Sequence, residues 1–185
     1  MKKMVYVLAL LAIISLAGSL LMSLAGCSNA ADEELKKVAA ERSMVEKNLA
    51  TFDTLDFTVF TNQEWARLHE SHSKDIKVHW PDGHVTTGID VHIEDLKAMF
   101  VYAPDTRIKV HPIRFGSGNH TAVTGIFEGT FTKPIPMGNG GFIQPTGKTF
   151  SLPMATIGIW ENGVMSEEYL FWDNQTYMKQ IGLAK

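Results

Sequence analysis

Four stretches in the second half of the chain alternate apolar and polar residues: Arg107 to Phe115, His120 to Thr132, Thr149 to Trp160 and Val164 to Trp172. Alternation sends successive side chains to opposite faces, so each stretch reads as a strand with one buried and one wet face. Gly116-Ser117-Gly118-Asn119 joins the first two, and Glu161-Asn162-Gly163 joins the last two. Asn-Gly tolerates the positive φ that a tight hairpin needs. Consecutive hairpins of long strands make an antiparallel meander, which restricts the chain to folds with a sheet as one wall.

The residues before the meander have helical period. Asp32 to Leu49 carries Leu35, Val38, Val45 and Leu49 on one stripe, with Asp32 as N-cap. Thr61-Asn62-Gln63-Glu64 has the form of a capping box for a helix through Trp65 and Leu68 that ends near Ser71. Ile76 to Trp80 alternates and is closed by Pro81-Asp82-Gly83. Gly88-Ile89-Asp90 then opens a helix with Val91, Leu96, Met99 and Phe100 as its apolar stripe. A Pro- and Gly-rich loop fills Lys133 to Gly147, and a last helix, Gln175 to Ile181, ends at Gly182. Helices followed by a meander give an α+β architecture in which a bent sheet wraps around helices.

The N-terminus carries a targeting signal. Met1-Lys2-Lys3 precedes an apolar run from Val5 to Leu24, and Leu24-Ala25-Gly26-Cys27 closes it. This resembles the bacterial lipobox, in which a peptidase cuts before a Cys that has received a diacylglyceryl thioether. Residues 1–26 then read as signal peptide, and 27–60 as acylated Cys27, tether and N-terminal helix. Residues 61–185 read as the soluble domain. The expected location is the bacterial cell envelope, with the protein membrane-anchored through lipid and facing outside the cytoplasm. A run of about 20 apolar residues could alternatively span the bilayer itself. Cys27 is the only cysteine, so once it is acylated no disulfide or thiolate chemistry remains. Lys2 and Lys3 fall in the leader, leaving 15 of the 17 Lys and Arg against 20 Asp and Glu, a balance that argues against nucleic acid.

Several short pieces recur in a telling order: Trp65 to Glu70, Ile76 to Gly83, Gly88, Phe127-Glu128-Gly129-Thr130 and Pro145-Thr146-Gly147-Lys148. They are followed by Glu161-Asn162-Gly163, Glu167-Glu168, Trp172-Asp173 and Gln180-Ile181-Gly182-Leu183. Together, from Trp65 to Leu183, they resemble the SnoaL-like polyketide cyclases, or ester cyclases, of the nuclear transport factor 2-like superfamily. The resemblance implies a conical barrel, a curved antiparallel sheet closing over helices with a pocket at its wide end. It also implies a homodimer joined through the outer face of the sheet.

In the cyclases an Asp near the end of the last strand acts as acid and base, and the matching position is Asp173. Alternation independently places Met165, Glu167, Tyr169, Phe171 and Asp173 on one face of that strand. A carboxylate beside those rings would be desolvated, its pKa raised and its basicity increased. The competing reading is that Asp173, followed by Asn174-Gln175-Thr176, caps the last helix. Two departures from the family pattern stand out: Phe131 replaces the His of Gly-Thr-His-Thr-Gly, and Thr149 to Trp160 has no histidine. Glu167 and His120 are the substitutes for a second acid, Glu167 being equally readable as a rim salt bridge. Trp80, Phe127, Phe131, Tyr169 and Phe171 are candidate pocket aromatics, although such rings are more often core. His69, His72, His79 and His84 cluster in sequence but match no zinc signature, so no metal and no cofactor are expected. The expected activity is cofactor-independent proton abstraction from a small hydrophobic carbonyl compound. The alternative is a lipid-tethered protein that binds a small apolar molecule without transforming it.

Overall fold

The computed structural model describes residues 30–138 and 140–185. The leader and Cys27 lie outside the described residues. Residues 30–43, helical throughout, form one unit, in which Leu35 and Val38 are exposed. The other unit is Met44–Lys185, which takes in residues 44–60, grouped on sequence with the tether and N-terminal helix. No helix among the described residues is long and apolar enough to cross a membrane.

The domain opens with helical residues 44–54 (α1), which bury Val45, Leu49 and Phe52 at helical spacing. The helix then widens into a π-helical segment, Leu55–Phe60, in which Glu64 N donates to Val59 O and Thr61 N to Asp56 O, five residues back. The wider turn lets the adjacent pairs Leu55-Asp56 and Val59-Phe60 all face inward. Thr61 does not start a capping box. Its hydroxyl donates to Asp56 O at 2.8 Å and accepts from Ile108 N at 3.0 Å, while Glu64 pairs with Arg67. Trp65–Glu70 is a 3₁₀ turn.

Among the described residues nine strands follow, interrupted by α2 (Ile89–Tyr102) and followed by α3 (Asn174–Gln180). They are β1 (His72–His79), β2 (Val85–Thr87), β3 (Arg107–Ile108), β4 (Arg114–Ser117), β5 (His120–Thr130), β6 (Ile135–Pro136), β7 (Phe142–Ile143), β8 (Thr149–Glu161) and β9 (Val164–Trp172). The main sheet has the order β2-β1-β9-β8-β5-β3, with β4 also on β5. Its centre is the β5–β8–β9 meander, and Asn162 (φ 53) and Gly163 (φ 85) make the β8–β9 turn with positive φ at both positions. Inward residues of this meander, Phe150 among them, pack with Phe60 and Phe100 into one core. The sheet is mixed rather than purely antiparallel, because β1 lies parallel to β9.

Three further differences from the sequence pattern matter. The stretch 107–115 is two strands, β3 and β4, because Pro112 lacks an amide and biases His111 away from regular backbone. The buried stripe of α2 is His92, Leu96 and Phe100, with Val91 left 47% exposed. And β9 contains a bulge: Ile159 pairs with Glu167 but Trp160 pairs with Met165, leaving Ser166 as an extra residue. An extra residue reverses which face the following side chains occupy. Beyond it Glu168 and Leu170 point into the core, and Glu167, Tyr169 and Phe171 point out. β1 is irregular at the same level, its register jumping from His72↔Met165 to Lys77↔Glu167.

Candidate functional site

Between the sheet, the π-helical segment and α2 lies a cavity with about 460 Å³ of empty space counted out to its mouth. The enclosed part of it is small, about 40 Å³. Leu55, Phe60, Leu96, Phe127, Met154 and Leu170 form apolar walls, and half-buried Trp80 and Trp172 meet edge to face at 6.3 Å. Against these walls stand Asp56, His72, His92, Thr156 and Glu168.

The two bulged strands and α2 bring three of these groups together. His72 opens β1, Glu168 follows the β9 bulge, and His92 sits in the first turn of α2, whose start is set by Gly88 at φ 102. Bulges next to sites commonly re-aim a side chain in this way. His72 Nε2 lies 3.6 Å and His92 Nε2 3.4 Å from Glu168 Oε2, with all three side chains 6% exposed or less. His72 Nε2, His92 Nδ1 and Glu168 Oε2 are buried without a hydrogen-bond partner. Ser71 Oγ donates to Leu68 O at 3.1 Å, so it accepts from His72 Nδ1–H at 2.9 Å. In the neutral ring that bond leaves the lone pair on Nε2, toward Glu168.

Asp56, inward on the π-helical turn, has a different support. His111 Nε2 donates to Asp56 Oδ2 at 2.8 Å and Nδ1 to Asp53 Oδ1 at 2.7 Å, and Arg114 also pairs with Asp53. With a carboxylate on each ring nitrogen, at least one proton is held between His111 and its partners.

The two cavity carboxyls are pushed apart. Burial raises Asp56 above the usual carboxylate range; the His111 bond and charge offset only part of this, and Glu168 adds to it. Burial also pushes Glu168 up, but the neighbouring imidazoles outweigh it and hold that group below its ordinary value. Burial lowers His92 to about 4, with Glu168 pulling the other way, so its ring is neutral near pH 7. Titratable pairs displaced in opposite directions are a feature of acid–base sites and also of structural ion-pair networks.

The family model of the SnoaL-like polyketide cyclases matches residues 51–181, most of the domain and more than half of the chain. The chain belongs to the SnoaL-like polyketide cyclases. Solved structures carry the same fold. A SnoaL-like protein from Jannaschia sp. CCS1, assigned as a polyketide cyclase, is 18% identical with a TM-score of 0.66, over 77% of this chain and 96% of that one. IdmH from Streptomyces antibioticus, also assigned as a polyketide cyclase, is 19% identical with a TM-score of 0.62, over 73% and 98%. A third, from Xanthomonas campestris, is 13% identical with a TM-score of 0.65, over 75% and 99%. No curated protein matches the chain.

This SnoaL-like domain places Asp173 elsewhere than the desolvated position expected of it. The side chain is exposed and caps α3: Oδ1 accepts from Gln175 N at 2.8 Å and Thr176 N at 3.2 Å, and Oδ2 from Thr176 Oγ1 at 2.6 Å. The Thr176 bonds hold its carboxyl below the ordinary value, the opposite of the raised pKa a dry base would have. It borders an open groove with Pro81, Pro153 and Phe171. Asp173→Asn keeps a side-chain acceptor, so turnover should stay within about twofold of wild type. Asp173→Ala should lower the melting temperature by a few degrees through the lost cap. A hundredfold fall in turnover for the Asn variant would restore Asp173 as the base.

The other expected residues also disperse. Glu167, on the outer face, accepts from Tyr169 Oη at 2.7 Å and lies 3.3 Å from His79 Nε2 and 3.8 Å from Lys77, the rim arrangement. His120 is exposed at the start of β5. Of the pocket aromatics, Trp80 and Phe127 line the cavity, whereas Phe131 is wholly buried against Tyr102. Tyr169 stacks on His79 on the outer face at 4.0 Å, and Phe171 is exposed. Of the clustered histidines only His72 turns into the cavity; His69 bonds Ala66 O and His84 bonds Asp82. Its partners His92 and Glu168 were hidden, although three donors within 4.8 Å of one another could hold a metal ion. The available signal was Glu168 in phase with buried Leu170, a charge on the core face of a strand.

Proposed function

We propose that this SnoaL-like domain is an acid–base enzyme of the cyclase or isomerase class, acting on a small, largely apolar carbonyl compound. The observation that carries the reading is Asp56: a carboxylate with a raised pKa, supported by His111, facing an apolar cavity beside unpaired imidazole and carboxylate atoms. Asp56 takes a proton from the carbon next to the carbonyl, and the freed electron pair moves into the carbonyl group. The developing negative charge falls on oxygen, which faces the His72 and His92 side of the cavity. Returning the proton to another carbon gives isomerisation, and attack of the carbanion on a second carbonyl gives ring closure. The leader reads as an acyl anchor at Cys27, so we place the enzyme on the envelope membrane; the mass of the N-terminal peptide from cells tests that placement.

Proton abstraction is measurable without the native substrate. With cyclohexanone as a small ketone in D2O, wild-type protein should accelerate loss of the α-proton NMR signals. Asp56→Asn should cut that acceleration at least a hundredfold, about the lower end of what a general base supplies. Saturable binding of the ketone with exchange no faster than in buffer would overturn the enzymatic reading and leave a tethered binding protein.

A further inference from the structure

We propose that His72, His92 and Glu168 together hold one divalent first-row transition-metal ion of the zinc class in the cavity wall, with its remaining coordination positions open to the bound ligand. The inference rests on the proton-transfer reading at Asp56 and adds to it an electrophile for the substrate oxygen.

The donor set comes first. Two imidazoles and one carboxylate suit zinc, iron and their neighbours, whereas magnesium and calcium prefer all-oxygen shells. Each donor stands on a separate regular element, β1, α2 and β9, which fixes it better than a loop would. The side chains are at least nine-tenths buried, and His72 Nε2, His92 Nδ1 and Glu168 Oε2 have no hydrogen-bond partner. An orphaned donor or acceptor in a dry site is costly, and two of these atoms, His72 Nε2 and Glu168 Oε2, lie 3.6 Å apart.

The spacing fits an ion better than a proton. Bonds of about 2.0–2.1 Å at tetrahedral angles set ligand atoms about 3.3–3.4 Å apart. Glu168 Oε2 is 3.4 Å from His92 Nε2 and 3.6 Å from His72 Nε2, and one donor atom from each residue falls within 4.8 Å of the others. A proton on His72 Nε2 would leave N–H and O at 3.6 Å, outside hydrogen-bond reach. A cation between them would bond both atoms after shifts of a few tenths of an ångström.

The surroundings agree. His72 Nδ1–H is held by Ser71 Oγ, itself anchored on Leu68 O, the kind of outer support that fixes a ligating imidazole's tautomer and aims its free nitrogen. Asp56 and Glu168 both turn negative groups toward the same low-dielectric space and repel each other, and His111 serves only Asp56 and Asp53. A dication at the triad offsets the second carboxylate. His72, His92 and Glu168 lie 20 and 76 positions apart in the chain, which is why no short motif announces them.

The test uses the full-length chain, stripped with chelator and titrated with Co(II) and then Zn(II). Uptake of one equivalent should produce the intense visible bands of four- or five-coordinate Co(II) and paramagnetically shifted imidazole N–H signals, and Zn(II) should displace the colour and raise the melting temperature. Glu168→Gln and His92→Phe, checked for native circular dichroism, should weaken uptake at least a hundredfold, more than the roughly 10–100-fold that loss of an outer-shell partner costs. If those variants fail to fold, the shifted imidazole signals of the wild-type protein decide alone. No uptake by wild type, or undiminished colour in the folded variants, overturns the proposal. Asp56→Asn separates the two readings: it should abolish ketone exchange and leave Co(II) uptake intact. Metal-free protein that still exchanges the ketone at full rate would sink the electrophile role and spare Asp56.

Discussion

His111→Leu should lower the melting temperature of the domain by roughly 10 °C. The side chain is 1% exposed and gives one nitrogen to Asp53 and the other to Asp56. Asp53 keeps Arg114, but Asp56 loses its only hydrogen-bonding partner described for that carboxylate and stays buried. Removing one member of a buried charge pair costs about 3–5 kcal/mol, and a domain of this size loses about 2–4 °C per kcal/mol. The pH dependence has a definite sign. Burial pushes His111 down, but the two carboxylates more than compensate and its pKa lies above the ordinary 6.5. Its stabilisation is therefore complete below about pH 6.5 and is lost as pH rises through the raised value. Asp56 acts in the same direction: an acid with a raised pKa costs stability once pH passes its unfolded value of 3.8. Wild-type protein should lose melting temperature from neutral pH upward, and His111→Leu should flatten that slope. Calorimetry across the pH range checks both, and a variant melting within about 2 °C of wild type with the slope intact would show that the network carries no net charge pairing.

The sheet was legible in the sequence because its determinants are local. The alternation of β5 and β8 survives without a break over eleven paired positions, and Asn162-Gly163 adopts the turn its residue types favour. The site was not legible, and the reason is one residue. Alternation counted on from buried Met165 assigns Glu167, Tyr169 and Phe171 to the core, and the bulge at Ser166 reverses that phase, so the carboxylate inside is Glu168. A bulge leaves no composition signal, since it depends on the partner strand's register. His92 was hidden differently. An apolar-stripe rule prefers Val91, and only the packing of α2 on β1 decides that a histidine is buried while the valine is left in solvent. Asp173-Asn174-Gln175-Thr176 supports both capping and catalysis on paper, and backbone geometry, with two amides within 3.2 Å of Oδ1, selects capping.

Replacing the whole triad with apolar residues, His72→Leu, His92→Leu and Glu168→Met, should raise the melting temperature by about 5–10 °C while eliminating ketone exchange above the buffer rate and Co(II) uptake. Buried ionic clusters exchanged for apolar groups of similar volume are often neutral or stabilising by about 1–4 kcal/mol, because three desolvation costs disappear together. The cavity walls around these positions are already Leu55, Leu96, Phe127 and Leu170, so the replacements meet apolar neighbours. His72→Leu alone should do the opposite, since it leaves Glu168 charged and buried with only the neutral His92 beside it. A stabilising triple variant that contains a destabilising single one is a coupling energy of reversed sign, measurable by thermal melts of the eight combinations. Such a sign reversal is what a cluster retained for activity rather than for folding would give. If instead the triple variant melts lower than wild type and the single losses add, the three side chains are part of the scaffold, and neither the metal nor the substrate oxygen has a seat there.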